Sequence, residues 1–383
     1  MNTKNRALFI DLLRGLAMLV MVEVHVTNEL LEPSIKSQSW FSIVNFINGL
    51  VAPSFLFVSG LVFVLSLQKG TDDLRKFGKT FWKKLSRIGL ILLAGYSLHT
   101  PYFSVQKLMN HWTPDIIKQL FMVDILQCIG IGLLVLLFAR IIFTNEKSFY
   151  IFITVVLFFV VFFSWVFWKI DFNNFLPIPL ASYFNAMNGS LFPVFPWFNF
   201  LFAGALVSKF YIDARNKNDE KSFIRKITMI GIGFLIVGDL LLRVVVPKNL
   251  EIIRPHPVFF FERLGAVFTI LGVCWYYVRN KKNYSSFILD ASRESLLVYW
   301  LHLQVIFRKF FGGKSLVDIY GGQLNIYWCI LITIAICVLM IYAAKLWGWT
   351  KGYHPKISKK IVYGFITAGL AIFVINGIFL LDL

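Results

Sequence analysis

Acidic residues are scarce in this sequence. Twenty Asp and Glu stand against 38 Lys and Arg among 383 residues, and charged residues of both signs make up only 15%. A soluble globular domain carries about 25%, so the shortage argues against a water-facing fold of this length. Cysteine is nearly as rare. Cys128, Cys274, Cys329 and Cys337 all fall in apolar runs, with no C-x-x-C pair and no His at ligand spacing. That pattern supports neither a disulfide framework nor a zinc site, and no metal is expected. No stretch has the composition of a soluble domain, and no internal repeat is evident. Asn2 to Asn5 is too short for the positive region of a cleaved signal, so the first apolar run is expected to be a retained span.

What is present is apolar. Hydrophobic residues reach 58%, with 41 Phe and 11 Trp, and the mean hydropathy is +0.71. The expected fold class is an all-α polytopic membrane protein. Apolar runs of about 20 residues, the length that crosses a ~30 Å hydrocarbon core, place eleven spans near 7–27, 46–68, 88–106, 121–140, 149–169, 192–210, 227–246, 257–278, 294–311, 326–345 and 361–380. With the N-terminus inside, the inner segments hold 26 Lys and Arg and the outer ones 10, while Arg14 and Arg263 lie within spans. That bias follows the positive-inside rule and puts the C-terminus outside. It also explains the formal charge of +18 without nucleic acid, which is not expected as a partner. The lipid bilayer is.

The first span, RALFIDLLRGLAMLVMVEVH from Arg6 to His25, is interrupted by ionisable residues. At about 100° per residue, Asp11 and Arg14 are about 300° apart and His25 follows Arg14 by about 1100°, so all three share one face. Glu23 projects from the opposite face. Ionisable groups in a span cost roughly 2.5–3.5 kcal/mol each on insertion scales and usually meet a polar cavity or a partner. The plain alternative is that Asp11 and Arg14 pair at i, i+3 near the surface, with His25 interfacial.

Further spans bring more polar groups to membrane depth. Ser59 and Gly60 interrupt the second, and Gly60 permits close approach by another helix or by a ligand. Asp124 and Gln127 share a face of the fourth. Pro193, Pro196, Trp197 and Asn199 predict an irregular start to the sixth. Glu262 and Arg263 in the eighth are adjacent, about 100° apart, and each is expected to find its partner on another helix. His302 lies mid-span in the ninth, where a buried neutral His with one hydrogen bond weighs as much as a functional one. Together these groups predict a central polar chamber. The loops 97–120 and 170–191 have ordinary loop composition, the first with room for a short interfacial helix.

The run Arg6-x4-Asp11-x2-Arg14-Gly15-x9-His25 followed by PSFLFVSG, the Asp124-Ile-Leu-Gln127-x2-Gly130 motif, Phe195-Pro196-Trp197 with Gly204, and Ser295-Leu-x2-Tyr299-x2-His302 resemble the transmembrane acyltransferase superfamily. Its closest branch contains heparan-α-glucosaminide N-acetyltransferase and bacterial relatives. The resemblance implies a single integral membrane domain over residues 1–383 in a bacterial inner membrane. It implies that acyl-CoA, acetyl-CoA first, arrives from the cytoplasm and yields its acyl group to a sugar hydroxyl or amine on the far side. In the superfamily the positions of Arg14 and His25 form the functional pair. The lysosomal enzyme departs there, with Asn in place of His25 and its proposed catalytic His where this chain has Lys36.

The site implied is His25 as base or acyl carrier, with Asp11 and Arg14 beside it. Arg14, Ser59, Gly60, Trp197, Arg263 and His302 stand toward the donor, and Glu23, Asp124 and Gln127 toward the acceptor. A homodimer is left open. The rival is a secondary transporter using the same buried charges, against which the missing inverted repeat counts.

Overall fold

In a bilayer every backbone N–H and C=O must find its partner within the segment or a closed barrel, and a run of ~20 apolar residues does so as a helix. The computed structural model describes residues 7–68, 70–245, 253–281 and 285–376, and among these it is all-helical with no β-strand. The helices that carry the argument are α1 (Leu8–Leu30), α2 (Phe41–Asn48), α3 (Val51–Leu67), α4 (Lys79–His99), α5 (Ile125–Ile142), α6 (Glu146–Phe167), α7 (Val194–Asn216), α8 (Glu220–Val245), α9 (Pro257–Val278), α10 (Phe287–Arg293), α11 (Ser295–Phe307), α12 (Ile326–Tyr353) and α13 (Pro355–Ile375).

Among the described residues, seven stretches are long and apolar enough to cross a membrane: Phe41–Leu67, α5, α6, Glu220–Val244, α9, α12 and α13. They coincide with seven of the eleven expected spans. The other four positions are also helical, as α1, α4, α7 and α11. They differ in kind. α1 carries Asp11, Arg14, Glu23 and Glu29, α4 carries Lys79, Lys83, Lys84 and Arg87, α7 opens on a bent, proline-containing turn, and α11 has only 13 residues. The loop after α4 holds two short helices, Val105–Asn110 and Pro114–Leu120, where one was expected.

The chain forms two compact units, each assembled from separated segments. The first comprises Met1–Phe55 and Val273–Gly364. Here α1 packs against α2, α10, α11 and α12. Its C-terminal end is tied to the approach to α12 by a short bridge, in which Leu324 N donates to Leu30 O and Glu32 N donates to Leu324 O, both at 2.9 Å. Side-chain caps set where these helices begin: Ser286 accepts from Leu289 N ahead of α10, and Asn325 from Trp328 N ahead of α12. Lys351 of α12 reaches Glu294 between α10 and α11 at 2.6 Å.

The second unit comprises Leu56–Gly272 and Phe365–Leu383. Its closest helix contact is reciprocal. A Cβ on Gly60 of α3 would collide with the Leu201 carbonyl oxygen of α7, and one on Gly204 of α7 with the Phe57 carbonyl oxygen of α3. Without a hydrophobic force between helices in lipid, such close backbone contact is what holds a pair together. Gly60 therefore admits a helix. The irregular start of α7 is as expected: the Phe195–Pro196 peptide is cis, and Phe195 is non-helical at φ −95°, ψ 119°, its ring stacked on Phe167 at 4.3 Å.

Gly204→Ala is expected to lower the thermal midpoint in detergent, by the equivalent of about 1–3 kcal/mol of overpacking. Gly89→Ala, with nothing within 4 Å of the added carbon, should leave the midpoint unchanged or slightly raise it. An equal fall in both variants would refute the close-contact account.

Candidate functional site

In the first unit the face of α1 predicted from spacing is built as follows. Arg14 Nη2 lies 2.6 Å from Asp11 Oδ1, one turn back, and Arg14 Nε donates to Ser292 Oγ at 3.1 Å. Asp11 is buried, Ser292 fully so, and the Arg14 side chain keeps 21% of its surface exposed. An i, i+3 pair meets on a helix without strain. The third partner comes from the end of α10, 278 residues away.

His25 stands eleven residues beyond Arg14, about 16 Å along the axis. Its ring is 5.2 Å from that of His302 on α11 and 6.1 Å edge-on from Phe307. His302 is fully buried, and its Nδ1 lies 2.8 Å from the Val298 carbonyl oxygen. A carbonyl only accepts, so Nδ1 carries a hydrogen toward Val298. Tyr299 packs edge-on to the same ring at 5.6 Å. The structure thus brings Asp11 to Arg14 and His25 to His302. Glu23 faces elsewhere, its carboxylate flanked by Thr27 and Asn48. Lys36 Nζ donates to Asn28 O at 2.6 Å beyond the end of α1.

In the second unit Asp124 is the N-cap of α5. Its Oδ1 accepts from Ile125 N at 2.7 Å while Oδ2 sits 3.4 Å from His99 Nε2. Gln127, fully buried, packs on Gly95, and neither of its amide atoms has a hydrogen-bond partner. The hydroxyls of Tyr96 and Tyr183 meet at 2.5 Å. Trp197 is buried among Phe192, Phe200 and Phe259, its Nε1 unsatisfied like Asn199 Oδ1. Ser59 is half-buried on α3.

Glu262 and Arg263 require a correction. Expected to seek separate partners, they meet each other, Arg263 Nε to Glu262 Oε2, at 3.3 Å. Both side chains are long enough to bend across the 100° between them. The cost of two separated buried charges outweighs that of the bent geometry. Arg263 also lies 5.4 Å over the Phe259 ring.

Ser292 escaped sequence reasoning because a serine between Ala291 and Arg293 carries no signal of a partner so far away. Glu23 and Asp124 were named from the sequence, but their neighbours Asn48 and His99 were not, because each lies on a separate segment. Among the described residues no group of three or more His, Cys, Asp and Glu could hold a metal ion, and all four cysteines are unbridged.

Residues 6–238, more than half of the chain, match the family model of heparan-alpha-glucosaminide N-acetyltransferase, catalytic. The chain belongs to this family. No individual curated protein matches it. The family is one of membrane acetyltransferases and is acetyl-CoA dependent in general. Its match takes in Asp11, Arg14, Glu23, His25, Ser59, Gly60, Asp124, Gln127 and Trp197, and stops before Arg263, Ser292 and His302.

A cycle of Asp11→Ala, Arg14→Ala and the double variant tests the first pair. Asp11→Ala alone should lower stability by about 1–3 kcal/mol, because it strands a cation. The double variant should cost less than the sum of the two singles, with a coupling of at least about 0.5 kcal/mol. Additive thermal shifts would show that the pair is incidental.

Proposed function

We propose that this acetyltransferase moves an acyl group, acetyl first, from cytoplasmic acyl-CoA to a hydroxyl or amine of an acceptor at the outer side, a sugar of the cell envelope. One observation carries the reading: Arg14, clamped by Asp11 and Ser292, and His25, against His302, stand in line on α1 about 16 Å apart. The separation suits a long, flexible donor whose phosphates and reacting carbon are far from each other. The eleven expected spans then form one integral domain in an inner membrane, N-terminus cytoplasmic and C-terminus outside. The excess of Lys and Arg in the inner segments supports that orientation.

Each residue has a role that its chemistry fits. The guanidinium fork has five donors, of which Asp11 and Ser292 engage two, so Arg14 has others for a phosphate or pantetheine oxygen. Asp11 and Ser292 fix the plane of that fork. His25 takes the proton of the acceptor hydroxyl or amine as it attacks the thioester carbonyl, and returns it to the departing thiolate. The alternative route, in which His25 is itself acylated and then deacylated by the acceptor, uses the same geometry. His302 acts as a positioning residue. Its orientation is fixed by Val298, and it holds the His25 ring from behind.

The test is release of free CoA from acetyl-CoA by purified protein in nanodiscs, beside thermal stabilisation by CoA, for wild type, Arg14→Ala and His25→Ala. Wild type should be stabilised and turn over, slow hydrolysis included. His25→Ala should keep the stabilisation and lose about 10²–10⁴-fold in rate, the usual worth of a general base. Arg14→Ala should lose the stabilisation. If no acyl-CoA of any chain length stabilises wild type, the donor assignment fails and a transporter using the same buried charges replaces it.

A further inference from the structure

Glu23 stands about 200° around α1 from His25, and transfer as described above does not use it. It lines a groove of about 900 Å³ in the first unit, between α1, α2 and α12. The groove follows α12 from Ile326 to Lys345, about 28 Å of helix against the ~30 Å of a hydrocarbon core. Leu19, Val44, Ile330, Ile334 and Val338 make its walls apolar. It opens outward: Ile330 is 51% exposed and Ile334 55%. Surrounded by lipid, an empty trough of this kind would forfeit contacts along its whole lining, so an aliphatic chain is the natural occupant.

One polar step interrupts the apolar wall. The bridge between Leu31 and Leu324 fixes the level of α1 against α12, and Glu23 and Thr333 each lie about 12 Å along their helices from it. They therefore sit at one height, with Asn48 beside the Glu23 carboxylate. The Thr333 hydroxyl and both amide atoms of Asn48 are buried and make no hydrogen bond of ordinary geometry. A hydroxyl or amine brought to this level would find an acceptor in Glu23, and the Asn48 amide and Thr333 hydroxyl can each donate or accept beside it.

We propose that this groove binds a membrane lipid by its long aliphatic chain, with a hydroxyl or amine at the polar end of that lipid hydrogen-bonded to Glu23, Asn48 and Thr333. The site requires neither acyl-CoA nor His25, and its failure would leave the transfer reading untouched.

The experiment uses the full chain in phosphatidylcholine nanodiscs with two photoreactive probes of equal length, a long-chain alcohol carrying a diazirine and the matching hydroxyl-free alkane. After irradiation the labelled peptides are mapped by mass spectrometry. The alcohol should label residues 326–345 about fivefold more than the alkane, the worth of one net hydrogen bond. Glu23→Leu should bring the alcohol down to the alkane level. Thr333→Val, which exchanges a hydroxyl for a methyl, gives the same readout should Glu23→Leu fail to fold. Ile334→Trp, which fills the groove, should reduce both labels. Equal labelling of wild type by the two probes overturns the proposal and leaves an ordinary lipid-facing seam. So does an Ile334→Trp variant that changes the particle mass from two copies to one without changing the labelling, because the occupant is then a second copy.

Discussion

Arg14 sits in a helix that the bilayer would otherwise reject, and the way its charge is met decides how the first unit is built. Insertion of one such group costs roughly 2.5–3.5 kcal/mol, and Asp11 offsets part of that locally, one turn away at 2.6 Å. The remaining requirement, a third polar partner, is met by Ser292. A local pair could have formed on an isolated helix, but the serine ties the beginning of the chain to residues 278 positions later. The first unit is accordingly made from two segments far apart in the sequence, residues 1–55 and 273–364. With α1 fixed by that bond and by the bridge at Leu31, the rotation of every other residue on it is determined. His25 then meets α11, and Glu23 meets α12.

The second unit rests on different physics. Its helices approach through glycine, with backbone against backbone at Gly60 and Gly204, and some of its buried polar groups stand without partners, as some do in the first unit. Gln127, Trp197 Nε1 and Asn199 Oδ1 are buried without hydrogen-bond partners. Unsatisfied buried polar atoms are rare in folded proteins, and each asks for a reason. Close glycine contacts and a cis-proline helix start give this unit its geometry.

What could be read from the sequence divides along the same physical line. The helical class and the positions of the apolar runs follow from composition and length alone. The common face of Asp11, Arg14 and His25 follows from the 3.6-residue period, and the irregular start of α7 from its prolines. These are properties of a single segment. The Ser292 bond, the His25–His302 ring contact and the level shared by Glu23 and Thr333 are properties of two segments far apart in sequence, and no local pattern encodes them. Glu262 and Arg263 mark the limit of the period itself. Direction at the Cα does not decide contact when both side chains are long and the surroundings are apolar.

The family match stops well short of α11, yet α11 supplies the ring against which His25 is held. His302 is the better constrained of the two. Its Nδ1 is committed to the Val298 carbonyl one turn back in its own helix, its burial is complete, and Tyr299 closes one edge. On the proposed reading, a ring so fixed gives His25 a set surface to pack against, supplied by the part of the chain beyond the match.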